Sequence, residues 1–303
     1  MEQEIKKILM YLPRHTAEKI SALLASEPSS TRYITEIRLH CRRPTSVSMG
    51  GRNILLFSGE TDICTYEEIA STLAKLTEDS VHTYSETLKE GFISLEGGYR
   101  VGVCGSANTA DERIKGLYDL TSLCIRIPRA VTGVDGAFIS KICRQNIIDS
   151  ALIFSPPGVG KTTLVRAVAA SLSSGTSARR VSVIDTRREI YIYDMFKNSI
   201  ADFLSGYPRA AGIEIATRTL APEAVICDEI GGADEARAIL SAQNTGVPLI
   251  ATAHGDSAAD IARRPNIKAL LDAGVFRYLV GIRRGGRDGK FEFDFTDTRD
   301  NER

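Results

Sequence analysis

No stretch of this 303-residue chain stays apolar for the ~18–20 residues that a membrane-spanning helix requires. Any membrane role is therefore expected to run through a partner. Met1-Glu2-Gln3-Glu4-Ile5 lacks the apolar core of a signal peptide, so a cytoplasmic location is expected. Tryptophan is missing, and neither charge is in excess: 38 basic side chains balance 38 acidic ones. Divided near residue 130, both halves stay close to neutral, without the global basic excess of a nucleic-acid binder. The cysteines (Cys41, Cys64, Cys104, Cys124, Cys143, Cys227) have no short paired spacing, and His15, His40, His82 and His254 have no metal-ligand spacing. No zinc or redox motif is expected, and the cysteines read as reduced thiols. Internal repeats and low-complexity segments are also missing. What is left is an ordinary globular composition, 43% hydrophobic and 25% charged, in a chain long enough for two domains.

The most informative stretch present is Ser155-Pro156-Pro157-Gly158-Val159-Gly160-Lys161-Thr162-Thr163. It follows the apolar run Ala151-Leu152-Ile153-Phe154 and opens a helical pattern from Leu164 to Leu172. Strand, glycine-rich loop, Gly-Lys-Thr and helix is the arrangement that binds nucleoside triphosphates. Glycines let backbone N–H groups curl around phosphate oxygens, and the helix N-terminus adds donors and partial positive charge. Lys161 is expected to reach the β- and γ-phosphates of ATP, and the Thr162 hydroxyl to ligate Mg²⁺. The usual pattern begins with glycine. Ser155 stands there instead, which predicts some cost because serine tolerates strained backbone angles less well.

A second element, Ala224-Val225-Ile226-Cys227-Asp228-Glu229, reads as a buried strand ending in two acids. A parallel sheet places its ligand site at such strand ends. Asp228 is expected in the Mg²⁺ shell, and Glu229 is the candidate for polarising an attacking water. Thr252-Ala253-His254-Gly255 ends the following strand, so His254 is a further catalytic candidate. In Asp185-Thr186-Arg187-Arg188-Glu189, Glu189 is a candidate second acid, and Arg187 or Arg188 a candidate charge sensor. Arg126 and Arg129 at the domain junction suit either ordinary salt bridges or contact with nucleotide. Arg283, Arg284 and Arg287 read as a solvated hairpin.

Around these motifs the first 130 residues predict a small α+β domain. Two short helices lie within 1–26, separated by Pro13, followed by a strand over Ile34–Leu39. A hairpin joins Val47–Met49 to Ile54–Phe57. Helices are expected over Tyr66–Leu76 and Val81–Lys89, a hairpin around Gly97-Gly98, and a strand over Leu120–Ile127. From 131 to 303, helix and strand alternate, which predicts a mostly parallel sheet with helices on both faces, of RecA-like or AAA-like P-loop ATPase type. Helices are predicted near Ala137–Arg144 and over Asp234–Gln243, strands over Ile148–Phe154, Val181–Asp185 and Val247–Ala253. A terminal hairpin pairs Phe276–Arg284 with Lys290–Phe295 around Gly285-Gly286.

Taken together, these residues resemble the stage III sporulation protein AA family, ATPases of endospore-forming Firmicutes related to type II and type IV secretion ATPases. The resemblance covers nearly the whole chain. It rests on Glu90-Gly91-Phe92-Ile93, Gly97-Gly98-Tyr99-Arg100-Val101-Gly102-Val103-Cys104-Gly105, the phosphate loop, Pro222 to Gly231, Thr252-Ala253-His254-Gly255 and Gly274-Val275-Phe276. Ser155 departs from the family's usual glycine, and Thr186 stands in a loop that often carries an acid. The resemblance implies a homo-hexameric ring on the mother-cell side of the forespore membrane. There it would energise a channel built with other stage III sporulation proteins, one of them membrane-embedded. The alternative is a nucleic-acid-associated P-loop ATPase, which the neutral charge disfavours.

Overall fold

A computed structural model describes residues 2–27, 33–56, 59, 63–80, 84–110, 113–285 and 290–302. The chain divides into two compact units, Met1–Ala130 and Val131–Arg303.

The first unit begins with helices α1 (Glu2–Leu9) and α2 (Arg14–Ser26), with Pro13 at the N-cap of α2. Strands β1 (Ile34–His40), β2 (Arg43–Met49) and β3 (Arg52–Leu56) follow as an antiparallel meander. Phe57, at the end of the predicted hairpin, lies outside the described residues. Helix α3 (Tyr66–Leu76) has the predicted bounds, and its start is chemically fixed. Thr65 accepts the Glu68 N–H, and the Glu68 carboxylate accepts the Thr65 N–H in return. This reciprocal cap stabilises a helix start by about 1 kcal/mol. Ile69, Thr72, Leu73 and Leu76 recur at helical spacing and are buried. The next helix, α4, covers only Ser85–Lys89 of the predicted span; Val81 lies outside the described residues. Strands β4 (Phe92–Leu95), β5 (Tyr99–Ala110) and β6 (Arg113–Arg126) complete a six-stranded sheet ordered β3-β2-β1-β6-β5-β4. β6 begins seven residues before the predicted Leu120, because the β5–β6 hairpin runs on through exposed and half-buried residues, Ile114 and Tyr118 among the exposed ones, that show no buried alternation.

In the second unit, α5 (Gly136–Ile142) leads through two-residue strands β7 (Cys143–Arg144) and β8 (Ile147–Ile148) into β9 (Ala151–Ser155). Then come α6 (Lys161–Leu172), β10 (Val181–Asp185), α7 (Tyr193–Phe196), β11 (Asp202–Ser205) and α8 (Arg209–Ile215). α8 runs into a π-helical turn, Ala216–Leu220. The remainder is β12 (Ala224–Cys227), α9 (Ala233–Gln243), β13 (Leu249–His254), α10 (Ala258–Arg263), α11 (Pro265–Asp272), β14 (Tyr278–Arg284) and β15 (Phe291–Asp297). The seven-stranded sheet is ordered β11-β10-β12-β13-β9-β14-β15, parallel except for β15.

Period-two alternation explains why both faces of this sheet are covered. Leu152 and Phe154 of β9, with Val225 and Cys227 of β12, enter one core against α8, α9, α10 and α11. Ala151 and Ile153, with Ile226, Val183 and Val280, enter the other against α5 and α6. The terminal hairpin is present, and its Phe291, Phe293 and Phe295 pack onto the second core. Gly286 and Arg287 at its tip lie outside the described residues.

Candidate phosphate-binding site

The glycine loop leaves the C-terminal end of β9 near the centre of the sheet, and the acids leave β12 two strands away. Ser155 is the last residue of β9, almost fully buried, and is not among the residues with positive φ. The expected backbone cost of replacing glycine is therefore not incurred. Its hydroxyl donates to the Pro156 carbonyl at 2.9 Å. Two later glycines are required by geometry. Gly158 has φ 78° and Gly160 φ 121°, and a Cβ on Gly160 would lie 2.8 Å from the Phe291 ring. Gly160 is the N-cap of α6, so the unpaired amides of the first helical turn face the loop. Behind it, Arg284 Nε donates to the Val159 carbonyl at 2.9 Å. Arg283 and Arg284 are exposed as the sequence predicts, but Arg284 braces the loop as well.

Lys161, the first residue of α6, is only 5% exposed. Its ammonium donates to the carbonyls of Ser155 (2.9 Å) and Pro156 (3.2 Å) and meets His254 Nδ1 at 3.1 Å. Burial pushes its pKa down, while Asp228 and Glu229 pull it back up. With Nδ1 accepting from the ammonium, His254 presents Nε2–H to Glu229 Oε1 at 3.0 Å. The second Glu229 oxygen pairs with Arg187 at 2.5 Å. Arg187, rather than Arg188, thus reaches this acid; Arg188 lies against Gly206.

Asp228 is joined to the loop directly. Thr162 Oγ1 donates to its Oδ2 at 2.9 Å, and the Thr252 hydroxyl donates to its Oδ1. Thr252 also accepts the Glu229 N–H at 2.8 Å. Glu229 has φ 54°, a left-handed conformation costing a non-glycine residue roughly 1–2 kcal/mol. The Thr252 bond stabilises that conformation. Arg209 donates to the Asp228 carbonyl at 2.7 Å and pairs with Glu235.

The Asp185 loop is organised differently. Asp185 is buried and accepts the backbone N–H groups of Glu189, Ile190 and Tyr191. Glu189 gives its carbonyl to Arg166, and its carboxylate acts on the same guanidinium. The contacts linking Lys161, His254, Glu229 and Arg187 are made without it. Thr186 bonds the Tyr207 carbonyl. Arg126 pairs with Glu36, and the Arg129 guanidinium lies over the Tyr33 ring, both within the first unit.

The structure therefore brings Ser155–Thr163, Asp228, Glu229 and His254 to one edge of the sheet. Thr252, Arg209 and Arg284 complete the arrangement without a local signal of their own. Only Thr252, two residues before His254 at a strand end, carries a positional hint.

The mostly parallel sheet that carries this loop has the fold of solved ATPases. It matches the ATPase DotB of Legionella pneumophila with a TM-score of 0.64, at 16% identity, over 92% of this chain and 78% of that one. It also matches the pilus retraction motor PilT, solved with bound ADP, with a TM-score of 0.61, at 14% identity, over 89% of this chain and 83% of that one. The chain belongs to the sporulation stage III protein AA family, whose profile matches residues 2–298. It is 34% identical over 264 residues to stage III sporulation protein AA of Bacillus subtilis (strain 168), covering 84% of both chains.

Proposed function

We propose that the chain binds ATP with Mg²⁺, hydrolyses it, and thereby powers a secretion-like sporulation channel from the mother-cell side of the forespore membrane. The observation that carries the enzymatic reading is the unbroken set of contacts from Thr162 through Asp228 and Thr252 to Glu229, and from Lys161 through His254 to the same Glu229. A simple phosphate-binding loop needs only its amides and lysine. Here a second acid is held in a strained conformation beside them.

The Gly158–Thr163 amides would cradle the phosphates, and Lys161 would exchange the Ser155 and Pro156 carbonyls for β- and γ-phosphate oxygens. The Thr162 hydroxyl and Asp228 carboxylate are hard oxygen donors already in contact, a set that fits Mg²⁺. The ion, when bound, supplies charge neutralisation on the phosphate oxygens. Glu229 would orient the attacking water and take its proton. Arg187 and His254, both in contact with Glu229, are placed to respond to a γ-phosphate. Lys161→Ala removes the point charge on the phosphates, so equilibrium binding of labelled ATP should be lost. Wild-type affinity in that variant would overturn the reading.

Family membership supports the channel setting, and the ring rests mainly on the resemblance to secretion ATPases. We take the assembly to be a homo-hexamer, a closed heterologous arrangement, contacting the membrane through a partner of the stage III channel. Among the described residues no helix is long and apolar enough to cross a membrane. Light scattering with ATP should give the mass of a ring. A monomer at every concentration and nucleotide state would exclude it. Tight single-strand binding at physiological salt would favour a nucleic-acid role instead.

A further inference from the structure

The first unit holds a second cluster with ligand chemistry, far from the phosphate loop in sequence. His15 lies in the first turn of α2, Cys64 directly precedes the N-cap of α3, and Glu68 is the third residue of α3. One ligand atom from each lies within 4.8 Å of the other two. Cys64 Sγ is 3.9 Å from His15 Nε2, and His15 Nδ1 is 3.6 Å from Glu68 Oε1. Tetrahedral zinc, with Zn–S about 2.3 Å and Zn–N about 2.0–2.1 Å, separates its ligand atoms by roughly 3.3–3.6 Å. These two contacts run to opposite ring nitrogens, and one ion takes only one of them, so the imidazole must turn to bring a single nitrogen, within 4.8 Å of both partners, to ligand distance.

The surroundings suit an ion. Glu68 keeps one oxygen on the Thr65 N–H at 2.9 Å, which fixes the carboxylate and leaves the other turned toward His15. The hydroxyls of Thr16 and Thr45 lie 3.8 and 3.7 Å from Sγ, placed to donate to a thiolate in the manner of outer-shell partners. The backbone of Cys64 is fixed by a parallel β-bridge to the backbone of Cys41 and by the Arg42 N–H, which donates to its carbonyl at 3.0 Å. Cys64 itself is fully buried, whereas the His15 and Glu68 side chains keep 26% and 36% of their surface. One side of the cluster is thus open for entry and for a water ligand. Burial pushes the Cys64 thiol up, and a coordinated cation would deprotonate it.

We propose that His15, Cys64 and Glu68 bind one zinc(II) ion, with water as fourth ligand, and that the ion staples α2 to the start of α3. A thiolate with an imidazole selects zinc over magnesium or calcium, so this site is distinct from the oxygen site at Thr162 and Asp228. The spacing reading of the histidines missed it because His15 and Cys64 stand 49 positions apart and come from different elements.

The test uses the full chain, stripped with a chelator and titrated with cobalt(II) as a spectroscopic probe. The expected result is a thiolate-to-cobalt charge-transfer band that saturates at one ion per chain and is bleached by zinc(II). Cys64→Ala should abolish the band. His15→Ala and Glu68→Gln should weaken cobalt binding by at least about 10- to 100-fold, since loss of a mere outer-shell partner already costs that much. Cys104→Ala, which removes an exposed cysteine, should change nothing. Zinc should also raise the Tm of wild type but not of His15→Ala, whose side chain is partly exposed and whose loss leaves the apolar core intact. If Cys64→Ala fails to fold, the other two ligand variants decide the matter: wild-type affinity in both overturns the site. A stripped wild type with no charge-transfer band, or a band surviving Cys64→Ala, overturns it too.

Discussion

Asp185 and Asp228 occupy equivalent places on neighbouring strands and have opposite surroundings. β10 and β12 pair in parallel with Ile184 beside Cys227, so the next residue on each is an aspartate at the same edge of the sheet. Asp185 accepts three backbone amides at 2.8, 3.0 and 3.1 Å. Those donors cannot turn away, and together they hold the loop that presents Arg187. Burial pushes the Asp185 carboxyl up, the three amides pull it down, and the nearby Asp228 charge raises it again. Asp228 instead accepts two side-chain hydroxyls, Thr162 and Thr252. A hydroxyl can rotate and offer its oxygen to a cation. Residue type and strand position are the same in the two cases. The donors separate an acid that organises backbone from one held by rotatable hydroxyls, the acid proposed above to meet Mg²⁺.

The sharpest break in that comparison lies one residue beyond Asp228. Glu229→Gln keeps size and some hydrogen bonding but removes the charge, so single-turnover hydrolysis should fall roughly 10²- to 10⁴-fold while ATP affinity is kept. Near-wild-type hydrolysis would move attention to Glu189 or His254. Next in size is Asp228→Asn, for which Mg²⁺-dependent ATP affinity should drop about 10- to 100-fold, with little change in the presence of a chelator. Asp185→Asn should do the reverse. Its amide NH₂ faces backbone N–H groups, so a buried donor loses its acceptor at a cost of about 1–3 kcal/mol. For a unit of this size that lowers Tm by roughly 2–10 °C, while Mg²⁺-dependent binding persists. Calorimetry beside a binding titration reads both. If Asp185→Asn lost Mg²⁺ dependence at an unchanged Tm, the division between the two acids would be wrong. The smallest effect is expected from Ser155→Gly, which restores the usual motif. Because Ser155 is an ordinary strand residue, glycine relieves nothing and costs about 0.5–1 kcal/mol in backbone freedom. Turnover should stay within about threefold, and a tenfold gain would show that the serine restrains the loop.

Much of this edge of the sheet was legible because its signals are local. Apolar runs ending in Ser155 and Asp228 mark strands at their C-terminal ends, and Gly158 and Gly160 announce positive φ. Thr65 and Glu68 fix the start of α3 to the residue. β11 was not legible: of Asp202-Phe203-Leu204-Ser205 only Leu204 is buried, so no alternation shows in an edge strand of four. α8 opens with Arg209-Ala210-Ala211-Gly212, which has no apolar period. Gly212 is there because a side chain would strike Ile184, whose nearest methyl lies 2.7 Å from the site of a Cβ. α10 and α11, six and eight residues long, are too short to declare a stripe. Thr252, Arg209 and Arg284 matter only through contacts with distant segments, which composition and spacing do not record.

The bracing of the glycine loop by the terminal hairpin has a consequence during synthesis. Arg284 supports the Val159 carbonyl from 125 positions further along the chain, and Phe291 lies against Gly160. β9 also takes one of its two sheet neighbours, β14, from that late segment. At ~5–20 residues per second, a ribosome needs roughly 6–25 s to move from the loop to its brace. Throughout that interval the loop is made but lacks this brace. A chain not yet extended through β14 and β15 therefore cannot present the braced loop, and strands translated later complete what β9 began.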